Sequence, residues 1–177
     1  RLSNAKNYKK YSLKLLSSCA SRPISFEVFA DEFLQMKKQA DIINSWGRNI
    51  YVKIPVINSK GLFTGKVIRK LNNNGVKLNI TAVYTVSQVR KIIKNVDKKT
   101  KVIISIFSGR MGDAGKDPLP IIRKSVRLTK KRNNIEILWA STREPYNYIQ
   151  AKNCGCSIIT KPPAIIEKIS KFGKSLN

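Results

Sequence analysis

The sequence predicts an α/β protein built on a parallel sheet, and three observations carry that expectation. Six short, β-branched apolar runs recur at residues 24–29, 50–56, 78–84, 102–107, 135–140 and 157–160. Their starts lie 22 to 33 residues apart, close to the length of one strand-plus-helix unit. Segments with helical spacing fill the gaps, so strands alternate with helices as they do in parallel sheets.

Each element has its own local signal. The first run, Ile24-Ser25-Phe26-Glu27-Val28-Phe29, mixes β-formers with alternating polar positions. Phe33, Met36, Ala40 and Ile43 then recur at helical spacing. In the second run, Ile50, Val52, Ile54 and Val56 share one face and Tyr51, Lys53 and Pro55 the other. Asn72-Asn73-Asn74-Gly75 reads as a helix stop before the third run. After the fourth, Asp117-Pro118 reads as an N-cap followed by Pro at the first helical position, opening a helix that carries Ile121, Ile122, Val126 and Leu128. The fifth and sixth runs complete the series.

Doubly wound sheets and (β/α)8 barrels share this period, which by itself does not choose between them. Neither G-x-G-x-x-G nor G-x-x-x-x-G-K-[ST] occurs. Barrels place their chemistry at the carboxyl ends of strands, and that is where this chain keeps its unusual polar residues.

Composition narrows the chemistry. The chain has 177 residues, 35 Lys and Arg against 10 Asp and Glu, and no His, for a net charge of +25. At 42% hydrophobic residues it is a folding sequence rather than a basic tail. Without imidazole, Ser-His-Asp, Cys-His and His-metal schemes are all excluded. Cys19, Cys154 and Cys156 make neither a closed disulfide framework nor zinc-type spacing. No metal site and no cofactor are expected. No apolar stretch approaches the roughly 20 residues of a membrane span, so a reduced, cytoplasmic location away from membranes is expected. The first residue is Arg1, which suggests a start partway through a longer protein.

Several apolar runs hold a polar side chain: Glu27, Lys53, Asn79 with Thr81, Ser105, and Ser141 with Arg143 just past the fifth. Lys53 stands out. On a sheet face covered by protein it would be desolvated, which favours the neutral amine, a nucleophile toward carbonyls; on a solvated face it would be an ordinary surface charge. Glu27 could be a simple ion-pair partner or could hold a water and move protons beside Lys53. Arg110 and Arg143 suit phosphate oxygens, with Ser105 as an added hydroxyl, although among 35 basic residues either could be surface charge.

Taken in order, Pro23-Ile24-Ser25-Phe26-Glu27-Val28, Val52-Lys53-Ile54-Pro55-Val56, Leu78-Asn79-Ile80-Thr81-Ala82-Val83, Ile104-Ser105-Ile106-Phe107-Ser108-Gly109-Arg110 and Leu138-Trp139-Ala140-Ser141-Thr142-Arg143 resemble the transaldolase family, including fructose-6-phosphate aldolases. The resemblance runs from about Tyr8 to the C-terminal helix. It implies a (β/α)8 class I aldolase barrel, with residues 1–177 as one barrel domain that is incomplete: six βα units, the first two strands missing. The family's opening strand with a catalytic Asp and its Thr-Thr-Asn-Pro strand have no counterpart before Tyr8, and Ile57 stands where many relatives have Thr.

By resemblance, Lys53 forms the Schiff base, Glu27 orders the catalytic water and Thr81 shares it. Asn79 contacts substrate hydroxyls, and Ser105, Arg110, Ser141 and Arg143 bind the sugar phosphate. Glu27, Lys53, Thr81, Ser105 and Arg143 are expected to point into one cleft. The implied reaction transfers a dihydroxyacetone unit between phosphorylated sugars, as in the pentose phosphate pathway, with no cofactor. Alternatives are aldolase-type cleavage of fructose 6-phosphate, a non-catalytic family member, and, from the charge alone, a nucleic-acid-binding protein. Nucleic acid is not the expected partner, because the lysines are spread along most helices. The oligomeric state is open, a homo-oligomer included.

Overall fold

A computed structural model describes residues 7–19 and 22–175. α1 (Tyr8–Ser18) leads into β1 (Ile24–Glu27), α2 (Phe33–Asn44), β2 (Ile50–Pro55) and α3 (Gly65–Asn73). There follow β3 (Leu78–Val83), α4 (Val86–Asn95), β4 (Val102–Ile106), the short α5 (Ser108–Asp113) and α6 (Leu119–Thr129). β5 (Ile135–Trp139), α7 (Asn147–Asn153), β6 (Ile158–Ile159) and α8 (Pro163–Ile169) complete the series. The six strands form one sheet in the order β1-β2-β3-β4-β5-β6, every pair parallel. Consecutive order with helical crossovers is the arrangement expected when each βα unit packs on the one before.

Alternation along the strands divides the core in two. Ile50, Val52, Ile54 and Val56 of the second run join Ile80, Ile104 and Ile137 in the large cluster between sheet and helices. Met36, Ala40 and Ile43 of α2 reach the same cluster. The other face holds a smaller one, Tyr51, Ile103, Leu138 and Ala140. These four come from β2, β4 and the end of β5, which are not all neighbours in the sheet. Side chains of separated strands meet there because the sheet curls into a half-barrel with a concave face.

The strands end one or two residues before the apolar runs do. Phe29, Tyr84 and Phe107 belong to the turns that follow, where the ladder stops and the chain bends toward the helices. The helix stop is as expected: α3 ends at Asn73 and Gly75 has φ +79°, a left-handed conformation that glycine adopts without strain. The start of α6 lies one residue later than expected. Pro118 is the N-cap, and the Asp117 carboxylate instead accepts the Leu119 amide at 2.9 Å. α5 was not expected; at six residues it is too short for periodicity to reveal.

Candidate active site

At the carboxyl end of the concave face lies a cavity of about 770 Å³. Lys53 on β2, Asn79 and Thr81 on β3 and Ser105 on β4 line it, with Arg110 and Ser141 from the turns beyond β4 and β5. Parallel strands of one register deliver these side chains to one level: Glu27 pairs with Lys53, and Lys53 with Asn79.

Lys53 points into this space with 28% of its side chain exposed, neither sealed in the core nor on the outer surface. Its Nζ lies 3.2 Å from Glu27 Oε2. Glu27 does not line the cavity itself and reaches it through Lys53. The backbone of Glu27 is held in turn by Tyr8 of α1, whose hydroxyl accepts the Glu27 amide at 3.0 Å and donates to its carbonyl at 3.3 Å. Burial pushes the Tyr8 hydroxyl pKa up, so it stays protonated and able to donate.

A second chain of hydrogen bonds crosses the cavity floor. Ser105 Oγ donates to Asn79 Oδ1 at 2.7 Å, and Asn79 Nδ2 donates to Ser25 Oγ at 2.9 Å. Ser25 was not singled out from the sequence, yet it sits two residues before Glu27 and therefore on the same strand face. Tyr51, Phe107 and Thr160, also in the lining, were missed too. Thr81 is 2% exposed, and its Oγ1 has no partner among the described residues. A buried hydroxyl in the cavity wall with no partner among the described residues is suited to a water or a substrate hydroxyl.

Backbone conformation concentrates strain at this rim. The β3–β4 register shifts between Ile80 and Val83, so that β3 bulges around Thr81, and Ala82 takes φ +56°. Ser141 takes φ +65° just past β5. Left-handed non-glycine residues cost energy and gather where a site fixes side-chain direction.

The two arginines differ. Arg110 borders the cavity with its guanidinium 5.0 Å from the Phe107 ring centre. Arg143, expected in the same cleft, is turned away from it. Its Nε lies 3.0 Å from each Asp113 oxygen and its Nη2 2.6 Å from Oδ2, beside a separate cavity of about 300 Å³. The hydrogen bond from Arg143 holds Asp113 below the usual carboxylate range, and Asp113 raises the Arg143 pKa in return. A carboxylate 30 residues away in sequence, at the end of a helix the sequence did not reveal, holds this guanidinium outside the cleft.

Among the described residues no group of three or more His, Cys, Asp or Glu could hold a metal ion, and no helix is long and apolar enough to cross a membrane.

Fold and site together describe a parallel α/β half-barrel with a cavity at the carboxyl end of its concave face, into which Lys53 projects while paired with Glu27. The family model "Transaldolase/Fructose-6-phosphate aldolase" matches residues 7–176, and the chain belongs to that family. A protein of Herpetosiphon aurantiacus named "Probable transaldolase" is 29% identical over 167 residues, covering 94% of this chain and 72% of its own length. One from Dehalococcoides mccartyi, of the same name, is 30% identical over 161 residues, covering 90% and 71%. Among solved structures, a mandelate oxidase variant carrying an FMN adduct superposes with a TM-score of 0.56 at 12% identity. It matches 84% of this chain, which spans about half (51%) of that structure's length, and the likeness concerns the fold alone.

Proposed function

We propose that this protein is a class I aldolase-type enzyme that transfers a dihydroxyacetone unit between phosphorylated sugars, with Lys53 as the Schiff-base nucleophile. The observation that carries the reading is the Lys53–Glu27 pair, 3.2 Å apart, with Lys53 projecting into the cavity at the carboxyl end of the sheet. In this reading Glu27 takes the proton that the ammonium must lose before it can attack. The amine then adds to the ketose carbonyl, and loss of water from the carbinolamine leaves an iminium. Cleavage of the adjacent carbon-carbon bond sends its electron pair into the iminium while the hydroxyl proton of the departing carbon passes to a base, so an aldose leaves and an enamine remains. The enamine carbon attacks an acceptor aldehyde, and water returns the new ketose and free Lys53. Because the iminium is the electron sink, the chemistry asks for no metal or organic cofactor.

Thr81 and Glu27 would share the water that enters and leaves. Asn79, tied to Ser105 and Ser25, would orient the substrate hydroxyls. Ser105, Ser141 and Arg110 would meet the phosphate, with Arg143 available only by leaving Asp113. Simple cleavage of fructose 6-phosphate uses the same enamine with a proton as acceptor, and the family's own description names both reactions. A cytoplasmic setting suits three free cysteines.

Borohydride tests the proposal. With fructose 6-phosphate present it should reduce an imine and add a three-carbon fragment to Lys53, located by peptide mass spectrometry. Lys53→Arg should abolish labelling, since a guanidinium is no nucleophile. Labelling that survives the substitution would assign the chemistry to another lysine.

A further inference from the structure

The cleft uses little of the +25 net charge, and nine of the 35 basic residues stand together on three neighbouring helices. α3, α4 and α6 pack side by side in the outer layer, and none of them contains Asp or Glu. α3 exposes Lys66, Arg69 and Lys70. α4 adds Arg90, Lys91 and Lys94. α6 adds Arg123, Lys124 and Arg127. The opposite sides of the helices bury Ile68, Leu71, Ile92 and Ile122, so the helices cannot rotate to disperse the charge.

Among the described residues none of these basic side chains forms an ion pair; the pairs present are Lys37–Asp41, Lys53–Glu27, Lys60–Glu32 and Arg143–Asp113. Asp97, just past α4, is already taken by the amides of Lys99 and Thr100 and the Thr100 hydroxyl. Arg69 Nε donates to Asn95 Oδ1 at 3.1 Å, which fixes α3 against α4. The result is a rigid face of like charge without internal compensation, on the side of the sheet away from the cleft.

We propose that this three-helix face binds the phosphodiester backbone of duplex DNA. Like charges so placed repel one another and hold a counterion layer that a polyanion displaces with a gain in entropy. Three helices packed side by side about 8–10 Å apart make a face about 20 Å across, wider than the roughly 12 Å B-form major groove that admits one helix, so the face lies across the phosphate ridges. The large exposed apolar side chains, such as Tyr8, Phe29, Ile42, Tyr146 and Phe172, all lie outside α3, α4 and α6. The face therefore lacks a stacking platform for single strands and an apolar anchor for a membrane surface. Contacts would go to phosphates, giving binding without sequence preference, and they are independent of the aldolase reading.

The test uses the full chain and a fluorescein-labelled duplex of about two helical turns, followed by anisotropy at increasing KCl. Log affinity should fall linearly with log salt, with a slope of about −4 to −5 if about five phosphates are engaged. Arg90→Glu, Lys94→Glu and Arg123→Glu together should weaken binding about tenfold or more at fixed salt, with aldolase activity unchanged. Arg90→Ala alone, a substitution that an exposed helix position tolerates, should reduce the slope by about 1. A matched control, Lys9→Glu, Lys10→Glu and Lys14→Glu on α1, should bind as the parent does. Equal loss in the control would overturn the proposal by showing that overall charge does the binding. So would tighter binding to single-stranded DNA, to duplex RNA or to anionic lipid vesicles than to the DNA duplex, or an absence of salt dependence.

Discussion

Lys53 and Glu27 are register partners on adjacent parallel strands, and their side chains meet with Nζ 3.2 Å from Oε2 at the concave face. The pairing follows from parallel register: partners across two strands point to the same face, and both residues stand near the carboxyl end of their strands, where the ladder opens into the cavity. Tyr8 clamps the backbone of Glu27 from the far side. The amine thus has its carboxylate partner on a strand held by Tyr8 rather than on a loop.

Glu27→Gln keeps the shape and removes the acceptor. Turnover of sugar phosphate should fall about 100-fold or more, the usual value of general acid-base assistance, while KM changes little. Borohydride should still trap Lys53 after longer incubation. Steady-state kinetics beside trapping rates measures both, and an unchanged kcat would remove Glu27 from the reaction.

Arg110 and Arg143 should separate in a comparison of phosphorylated with unphosphorylated substrate. Losing a charge-assisted contact costs about 1.5 to 3 kcal/mol, so Arg110→Ala should raise KM for the phosphorylated sugar by about tenfold to 100-fold and leave the other nearly unaffected. Arg143→Ala should do less, because Asp113 already engages that guanidinium. A larger effect at Arg143 would mean that substrate draws it away from Asp113.

Gly109 is where α5 meets the end of β5. A Cβ there would stand 1.6 Å from the Ser141 carbonyl oxygen, a backbone atom that cannot step aside. Gly109→Ala should therefore force Ser141 and Arg110 apart and destabilise the fold by about 3 kcal/mol or more, the upper range for overpacking. Urea denaturation measures the loss. A midpoint equal to that of the parent would show that the turn can relax.

Cys156 should be inert. Burial, with Cys154 beside it, pushes its thiol pKa up to about 12. The thiolate is the reacting species, and a raised pKa keeps it scarce until the pH nears that value, so alkylation by iodoacetamide at pH 8 should be slow in the folded protein. Unfolding should restore the rate of an ordinary cysteine. Peptide mapping after timed labelling checks this, and rapid native labelling of Cys156 would contradict it.

Much of this was legible in the chain. Period-2 alternation around Lys53 divided the second strand into the two faces that the structure has, and period-3.6 spacing found the buried stripe of α2, because both patterns are local consequences of backbone geometry. The curl of the sheet was legible only through the family resemblance and not from periodicity, since it depends on how Tyr51, Ile103 and Leu138 meet from separated strands.

The sequence by itself determined the alternating α/β order, the family, and the presence of an amine and a carboxylate at matching points of successive strands. Only the tertiary structure decided that Arg143 turns to Asp113, that Thr81 Oγ1 is buried with no partner among the described residues, and that nine of the 35 lysines and arginines stand on three neighbouring helices without an acidic residue. The division has a physical cause. Hydrophobic period is written in residues a few positions apart, whereas the partner of a polar group is chosen in space, among side chains 26 to 54 positions away, as Lys53 finds Glu27 and Asn79 finds Ser25.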